Sequence, residues 1–105
     1  MDEQGQSGEK KFSKANDNVI FVGGKPLVNY IRGVMTQFTR EGNSEVIIKS
    51  RGKFISKAVD IAEVSKRSIE DKEVFVKNIL IGSESFETEG KKTNISTMDI
   101  ILASK

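Results

Sequence analysis

The feature that most constrains the fold is a short apolar run that leads, through a turn containing two glycines, into a helical pattern. Residues 19–22 are all apolar, which is typical of a strand buried on both faces. Pro26 suits the first turn of a helix. Apolar residues then recur at helical spacing, at Leu27, Ile31, Val34, Met35 and Phe38. Gly42 is a stop signal, so we predict a helix over about residues 26–41.

The same order of strand and helix then repeats. Glu45 to Arg51 is predicted as a second strand because its side chains alternate in character. One face carries Val46, Ile48 and Ser50, and the other carries Ile47, Lys49 and Arg51. A second amphipathic helix is predicted from its apolar spacing at Ile55, Ala58, Ala62 and Ile69, with an end near Glu70 and Asp71.

The last third of the chain predicts two strands joined by a long connection. Residues 74–81 and 95–102 are rich in β-branched side chains and should pair as a hairpin. Between them, residues 85–88 are strand-like and residues 89–92 carry a turn signal. The connection is long for a tight turn, so we expect an extended hairpin arm that protrudes from the body.

Together these elements predict a two-layer α/β sandwich of order β-α-β-α-β-β. It should contain a four-stranded mixed sheet, two helices on one side of it, and the extended arm between the last two strands. Residues 1–17 are polar and are expected to form a disordered tail, so that residues 18–105 form the single domain.

The absence of two residue types restricts the chemistry of the chain. It contains no cysteine and no histidine, which excludes disulfides, thiolate nucleophiles, imidazole bases and the usual zinc ligands. Asp60 and Glu63, three residues apart on the second helix, leave a carboxylate metal site open, although a solvated helix face is the simpler interpretation. We expect a non-enzymatic protein with no catalytic residue, metal or cofactor. No apolar run reaches membrane-spanning length, and we expect a cytoplasmic location.

The charge distribution favours a polyanionic partner. The formal net charge of +2 is too small to be informative, but the cations are not evenly spread. Between residues 46 and 59 four cations stand without a single acidic residue, namely Lys49, Arg51, Lys53 and Lys57. Each phosphate that such a group neutralises releases counterions. The alternative is an ordinary solvated face, and nucleic-acid binding is the favoured hypothesis.

The turn after the first strand is a second candidate site. Gly23, Gly24 and Lys25 precede a predicted helix, where free backbone amides and the helix dipole favour an anion. Asn29 and Tyr30 follow within the first turn or so of that helix, and the tyrosine either completes the core or contacts phosphate or a base. A plain connection between strand and helix is the alternative.

The predicted arm is the third candidate. Lys91 and Lys92 lie at its tip, where cations would be drawn to the negative potential of a narrow minor groove. Three acidic residues oppose that attraction, namely Glu84, Glu87 and Glu89. Considered alone, the arm could equally be a mobile loop.

Three stretches of the sequence resemble one known family. They are NVIFVGGKPLVNYI at 18–31, EVIIKSRGKFISKAVD at 45–60 and IGSE at 81–84. Together they resemble the Alba proteins, which are small archaeal chromatin proteins that bind DNA and RNA with little sequence preference. The similarity covers nearly all of the chain after residue 17.

The resemblance implies a homodimer that lies across double-stranded DNA or RNA and packages the chromosome. It implies that loop lysines approach the backbone and that two arms reach into minor grooves. The residues that match family contacts are Lys25, Asn29, Tyr30, Lys49, Arg51, Lys53 and the arm tip with Lys91 and Lys92. An alternative within the same resemblance is an RNA-binding protein that acts mainly in ribonucleoprotein assembly or RNA processing.

Two positions depart from the family pattern. Gly24 stands where members commonly carry the first of two adjacent lysines, which is an acetylation target, so acetylation control is in doubt here. Ile69 stands where some members have a phenylalanine at the contact between dimers. The resemblance therefore implies higher assembly on DNA with weaker cooperativity.

Overall fold

The computed structural model describes residues 18–105, so the tail predicted for residues 1–17 lies outside the described residues. The elements follow the predicted order. The strands are β1 (Val19–Phe21), β2 (Glu45–Arg51), β3 (Val74–Thr88) and β4 (Lys91–Ser104), and the helices are α1 (Leu27–Thr39) and α2 (Ile55–Ser68). A 3-10 turn, Gly52–Phe54, leads into α2.

Both helices are slightly shorter than the sequence predicts. Helix α1 begins at Leu27 because the preceding Pro26, at φ −59° and ψ 150°, is still extended. Helix α2 ends at Ser68 because Ile69 turns to φ −94° and ψ 108°. The side chain of Ile69 is only 4% exposed and packs in the core just after the end of the helix.

The four strands form one mixed sheet in the order β1-β2-β4-β3. Strand β1 is parallel to β2, whereas β4 is antiparallel to both β2 and β3. The predicted two-layer sandwich is therefore confirmed. Strands β1 and β3 form the two edges of the sheet within the described residues.

Both helices pack on the same face of the sheet. On β2 the side chains of Val46 and Ile48 are fully buried, whereas Lys49 and Arg51 alternate to the opposite face, as predicted. The core between sheet and helices includes Val34, Phe38, Ile61 and Leu102, all with no exposed surface. Among the described residues no helix covers the opposite face, which we call the open face.

The arm is a continuous two-stranded ribbon. Beyond the pair Gly82 and Thr97, β3 and β4 pair only with each other, as far as Thr88 and Lys91. The turn consists of Glu89 and Gly90, whose φ angles of 52° and 79° are both positive, as a type I′ hairpin requires. The extended arm is confirmed, and its long connection is resolved into longer strands joined by a tight turn.

One buried polar atom in the core gives a stability prediction. The hydroxyl of Ser65 in α2 is fully buried without a hydrogen-bond partner. Ser65→Ala should therefore raise the free energy of unfolding by about 1 kcal/mol, since it removes an unsatisfied group and improves helix propensity. Urea denaturation measures the change. Ser68→Ala is the control, because the exposed Ser68 hydroxyl already donates to the carbonyl of Val64 at 2.8 Å, and equal effects in the two variants would contradict the prediction.

Candidate nucleic-acid interface

Three basic segments leave the sheet at the same end. Because β1 and β2 are parallel and Phe21 lies beside Lys49, the turn after β1 and the residues after Arg51 emerge together. On the other side of β2, Arg51 lies beside Thr97 of β4. Thr97 also pairs with Gly82 of β3, and the arm begins next to this pair. The structure thus gathers residues 23–25, residues 51–53 and the arm at one end of the molecule, which we call the basic end.

The turn after β1 is held by the side chain of Tyr30. The phenol oxygen accepts hydrogen bonds from the backbone N–H groups of Gly23 at 2.9 Å and Lys25 at 3.1 Å. The tyrosine is only 9% exposed and belongs to the core, so the hydroxyl lies beneath the turn. Of its two predicted roles, the structural one is therefore realised, while any contact with nucleic acid stays a prediction.

Lys57 holds the same turn from the other side. Its ammonium donates to the carbonyl of Gly23 at 2.7 Å and also to the carbonyl of Lys25. It lies 5.2 Å from the ring centroid of Tyr30 and 5.7 Å from that of Phe54, within the range of cation–π attraction. Lys57 is thus a positioning residue for the turn, and its charge is largely used within the fold.

These contacts use two of the backbone amides on which the predicted anion site depends. The amides of Gly23 and Lys25 already donate to the phenol oxygen of Tyr30. The amide of Val22 donates to the backbone carbonyl of Lys49 at 2.9 Å. Neither of these two bonds to Tyr30 involves the amide of Gly24, and an anion site at this turn stays a prediction. The side chains of Lys25 and Asn29 are exposed beside it and line the same shallow groove.

The cluster that looked unopposed along the chain is partly neutralised in space. The ammonium of Lys49 lies 2.8 Å from a carboxylate oxygen of Asp99, its neighbour on β4. The guanidinium of Arg51 lies 2.7 Å from a carboxylate oxygen of Glu84 at the base of the arm. The prediction of four unopposed cations is therefore wrong for two of them. Asp99 is 50 residues away from Lys49 in sequence, so only strand register could have found it.

Four exposed lysines of the basic end make no ion pair with any described residue. They are Lys25 and Lys53 on the body and Lys91 and Lys92 at the arm tip. The ammonium of Lys53 lies 5.5 Å from the ring centroid of Phe54, within the range of cation–π attraction. These lysines are the groups best placed to neutralise phosphates.

Two further predicted roles can be compared with the structure. Ile69, expected at a contact between dimers, is packed against the core of its own protomer and exposes only 4% of its surface, which argues against that role. Glu63 pairs with Lys66 at 2.9 Å on an exposed helix face, as the solvated-face interpretation of Asp60 and Glu63 expects. Among residues 18–105 no group of three or more potential metal ligands gathers.

No helix within the described part of the chain is both long and apolar enough to cross a membrane.

Comparison with known proteins gives a consistent result. The family model described as Alba matches residues 18–83. The DNA/RNA-binding protein Alba of Methanothrix thermoacetophila is 49% identical over 89 residues, which cover 84% of this chain and 97% of the relative. The protein of the same name from Methanococcus maripaludis is 48% identical over 88 residues, or 82% and 97% of the two chains. The solved structure of Alba from Thermoplasma volcanium has a TM-score of 0.73 at 40% identity and covers 82% of this chain and 99% of that one.

The anchoring of the turn can be tested through Lys57. Lys57→Met keeps most of the side-chain volume but removes two charge-assisted hydrogen bonds, so the free energy of unfolding should fall by about 1–2 kcal/mol after allowance for partial exposure. Amide hydrogen exchange at Gly23 and Lys25 should accelerate as well. Lys66→Met, on the same helix, removes only a surface ion pair worth about 0.5 kcal/mol or less. An equal loss in both variants would exclude a special role for Lys57.

Proposed function

The chain belongs to the Alba family, and on that basis we propose that it binds double-stranded DNA and RNA with little sequence preference and packages the chromosome. The observation that carries the proposal is the gathering of exposed lysines without ion-pair partners, within residues 18–105, at the end from which the arm projects. Two of the stretches that carry the family resemblance, residues 18–31 and 45–60, supply the turn and the strand end that form this surface.

The chemistry of these lysines favours contact with the phosphate backbone. Lys25 and Lys53 are exposed, and each can neutralise a phosphate without first breaking an ion pair with a described residue. The ammonium groups of these lysines act as point charges. They bind phosphates of the backbone and do not distinguish one base from another. Binding through them should tolerate many sequences and should weaken steeply with salt.

The arm extends the same surface away from the body. A two-stranded ribbon is narrow enough to follow a groove of a duplex, and Lys91 and Lys92 supply charge at its tip. Glu87 lies beside Lys92 in the strand register and Glu89 lies in the turn, so the attraction at the tip is moderate. The arm therefore guides the duplex, while the lysines of the body supply most of the affinity.

A homodimer completes the proposed binding unit. Edge strand β3 exposes 49% of Ile79 and 78% of Ile81, and nearby α2 exposes 41% of Val59. Both isoleucines lie on the helix side of the sheet, since they pair with Ile100 and Met98. Val59 follows Lys57 by about 200° around the helix and so faces away from α1 and towards β3.

We call Val59, Ile79 and Ile81 the apolar patch. Exposed apolar side chains beside a strand that is an edge of the sheet within residues 18–105 are costly to leave in water, and one patch can pack against its own copy around a two-fold axis. The family resemblance supports the same assembly. Two basic ends and two arms would then act on one duplex.

Salt dependence tests the assigned phosphate contacts. Lys25→Ala and Lys53→Ala should each reduce the slope of log affinity against log salt concentration by about one for every lost phosphate contact, which is about two per bound dimer, and the double variant by about four. Affinity for unrelated duplex sequences should fall about equally. Arg51→Ala should reduce the slope less, since Glu84 already offsets the charge of Arg51. Fluorescence anisotropy over a salt series gives the slopes, with duplex DNA and structured RNA titrated side by side.

Lys66→Ala is the matched control for this series. Lys66 lies near the far end of α2, where it pairs with Glu63, so its removal should leave the slope unchanged. An unchanged slope in the double variant of Lys25 and Lys53 would remove these residues from the interface. A stronger effect on structured RNA than on DNA would favour a role in RNA metabolism over chromosome packaging.

The homodimer is tested by placing a charge in the apolar patch. Ile81→Glu should convert the dimer to a monomer, because two carboxylates would be buried at a self-complementary contact. Light scattering coupled to size-exclusion chromatography measures the mass. Val28→Glu is the control, since Val28 on α1 is 51% exposed but lies outside the patch. A wild-type protein that is monomeric at micromolar concentration would contradict the proposed dimer.

A further inference from the structure

A cavity of about 570 Å³ lies on the open face of the sheet, next to the basic end. Its lining includes Phe21, Lys49, Arg51, Glu84, Thr97 and Asp99. The proposed phosphate contacts at Lys25, Lys53 and the arm tip do not use this space. Its composition is also unusual for a nucleic-acid-binding surface, because it combines an exposed aromatic ring with two carboxylates.

The aromatic ring belongs to Phe21, the last residue of β1. Its side chain is 72% exposed, and no packing role among residues 18–105 accounts for a large apolar group at this position. Phe21 lies in one row across the sheet with Lys49 and then Asp99, so the ring stands directly beside hydrogen-bonding groups. Exposed aromatic rings on a sheet are the usual platforms on which proteins stack unpaired bases.

Phe21 also borders a second groove, which lies beside the turn after β1. This groove, of about 420 Å³, is lined by Lys25 and Asn29 as well as by Phe21. A strand whose phosphate is held at Lys25 can therefore direct its base onto the ring of Phe21. The groove offers a contact for the phosphate at Lys25, and the cavity offers a contact for the base. Phe21 lines both spaces.

The charges of the cavity indicate what kind of group enters it. Lys49 and Arg51 are each paired with a carboxylate, at 2.8 Å and 2.7 Å, so the four charged groups sum to zero. Asp99 and Glu84 would repel a phosphate. They are good acceptors for the N–H groups of a base, while the two cations can donate to a base carbonyl.

We propose that this cavity binds an unpaired guanine base of a nucleic-acid strand. The six-membered ring edge of guanine presents two adjacent N–H donors, which suit the carboxylate of Glu84 or Asp99, and a carbonyl oxygen, which suits Arg51 or Lys49. The base stacks on Phe21. The inference rests on the proposed function, since the strand that carries the base is held by the lysines of the basic end.

The first test replaces the ring. Phe21→Ala should weaken binding of a short uridine-rich RNA strand with one central guanosine by roughly fivefold or more, the lower end of what a base–aromatic stack contributes. Binding of a duplex DNA without unpaired bases should be unchanged, because Phe21 is not one of its proposed contacts. Phe21→Tyr should retain the wild-type affinity for the strand. Fluorescence anisotropy at one fixed salt concentration measures both probes.

The second test separates base recognition from charge. Glu84→Gln keeps the shape of the side chain but releases Arg51 from its ion pair. Affinity for duplex DNA should therefore rise, while the preference for the guanosine strand over an all-uridine strand should fall. A rise in affinity with the preference unchanged would remove Glu84 from base recognition and overturn that part of the assignment.

A matched control is available on the same face of the sheet. Phe75 is also exposed, at 36%, but it lies beside Ala103 at the opposite end of the sheet, so Phe75→Ala should change neither affinity. Circular dichroism confirms that each variant is folded. If Phe21→Ala binds the guanosine strand as well as wild type does, the inference is overturned and the proposed function stands. If wild type binds neither probe, the proposed function fails and the inference fails with it.

Discussion

The alternation of side chains along β2 is the constraint on which the rest of the structure depends. The strand is paired on both sides, parallel to β1 and antiparallel to β4, so its register is fixed by backbone hydrogen bonds. One face buries Val46 and Ile48 beneath the helices. The other face necessarily directs Lys49 and Arg51 onto the open face, and a shift of one residue would exchange the core for the charges. The hydrophobic core and the basic end are therefore two consequences of one register.

The turn after β1 shows how the fold prepares a surface for binding. Tyr30 accepts two backbone N–H groups from this turn, and Lys57 donates to two of its carbonyls. A turn of glycines would otherwise be among the most flexible parts of the chain, with a large entropy to lose on binding. Because the helices already satisfy its backbone, the side chain of Lys25 is presented from a fixed position. Lys57 contributes to the surface by organising it, although its own charge is turned inward.

Much of the architecture could be predicted from local pattern because local pattern causes it. The bounds of β2 were predicted without error, since strict alternation and a following glycine define them. The arm and the position of its turn were predicted from a strand-like stretch before a turn signal at residues 89–92. The two-residue geometry of the turn was not predicted, since only the structure shows that Glu89 adopts a positive φ. The charge pattern and the glycine turn identified the candidate site residues, and the resemblance matched them to family contacts. The sequence could not predict that Lys49 and Arg51 form ion pairs, because their partners lie on distant strands whose register no local pattern encodes. Ile69 illustrates the same limit, since its burial is a property of the assembled core.

The paired charges also explain how one small surface can separate two kinds of contact. Asp99 and Glu84 place negative charge on the open face, directly beside the exposed lysines of the basic end. On the proposed function, a duplex backbone gains little at this face, where the paired charges cancel, and more at the basic end, where the exposed lysines have no ion-pair partner among the described residues. A neutral base finds hydrogen-bonding groups beside an aromatic ring at this face. If these acids were absent, the face and the end would form one continuous cationic surface, and phosphate would compete with bases for all of it. On this proposal, Glu84 and Asp99 separate the surface that binds the phosphate backbone from the surface that binds a base.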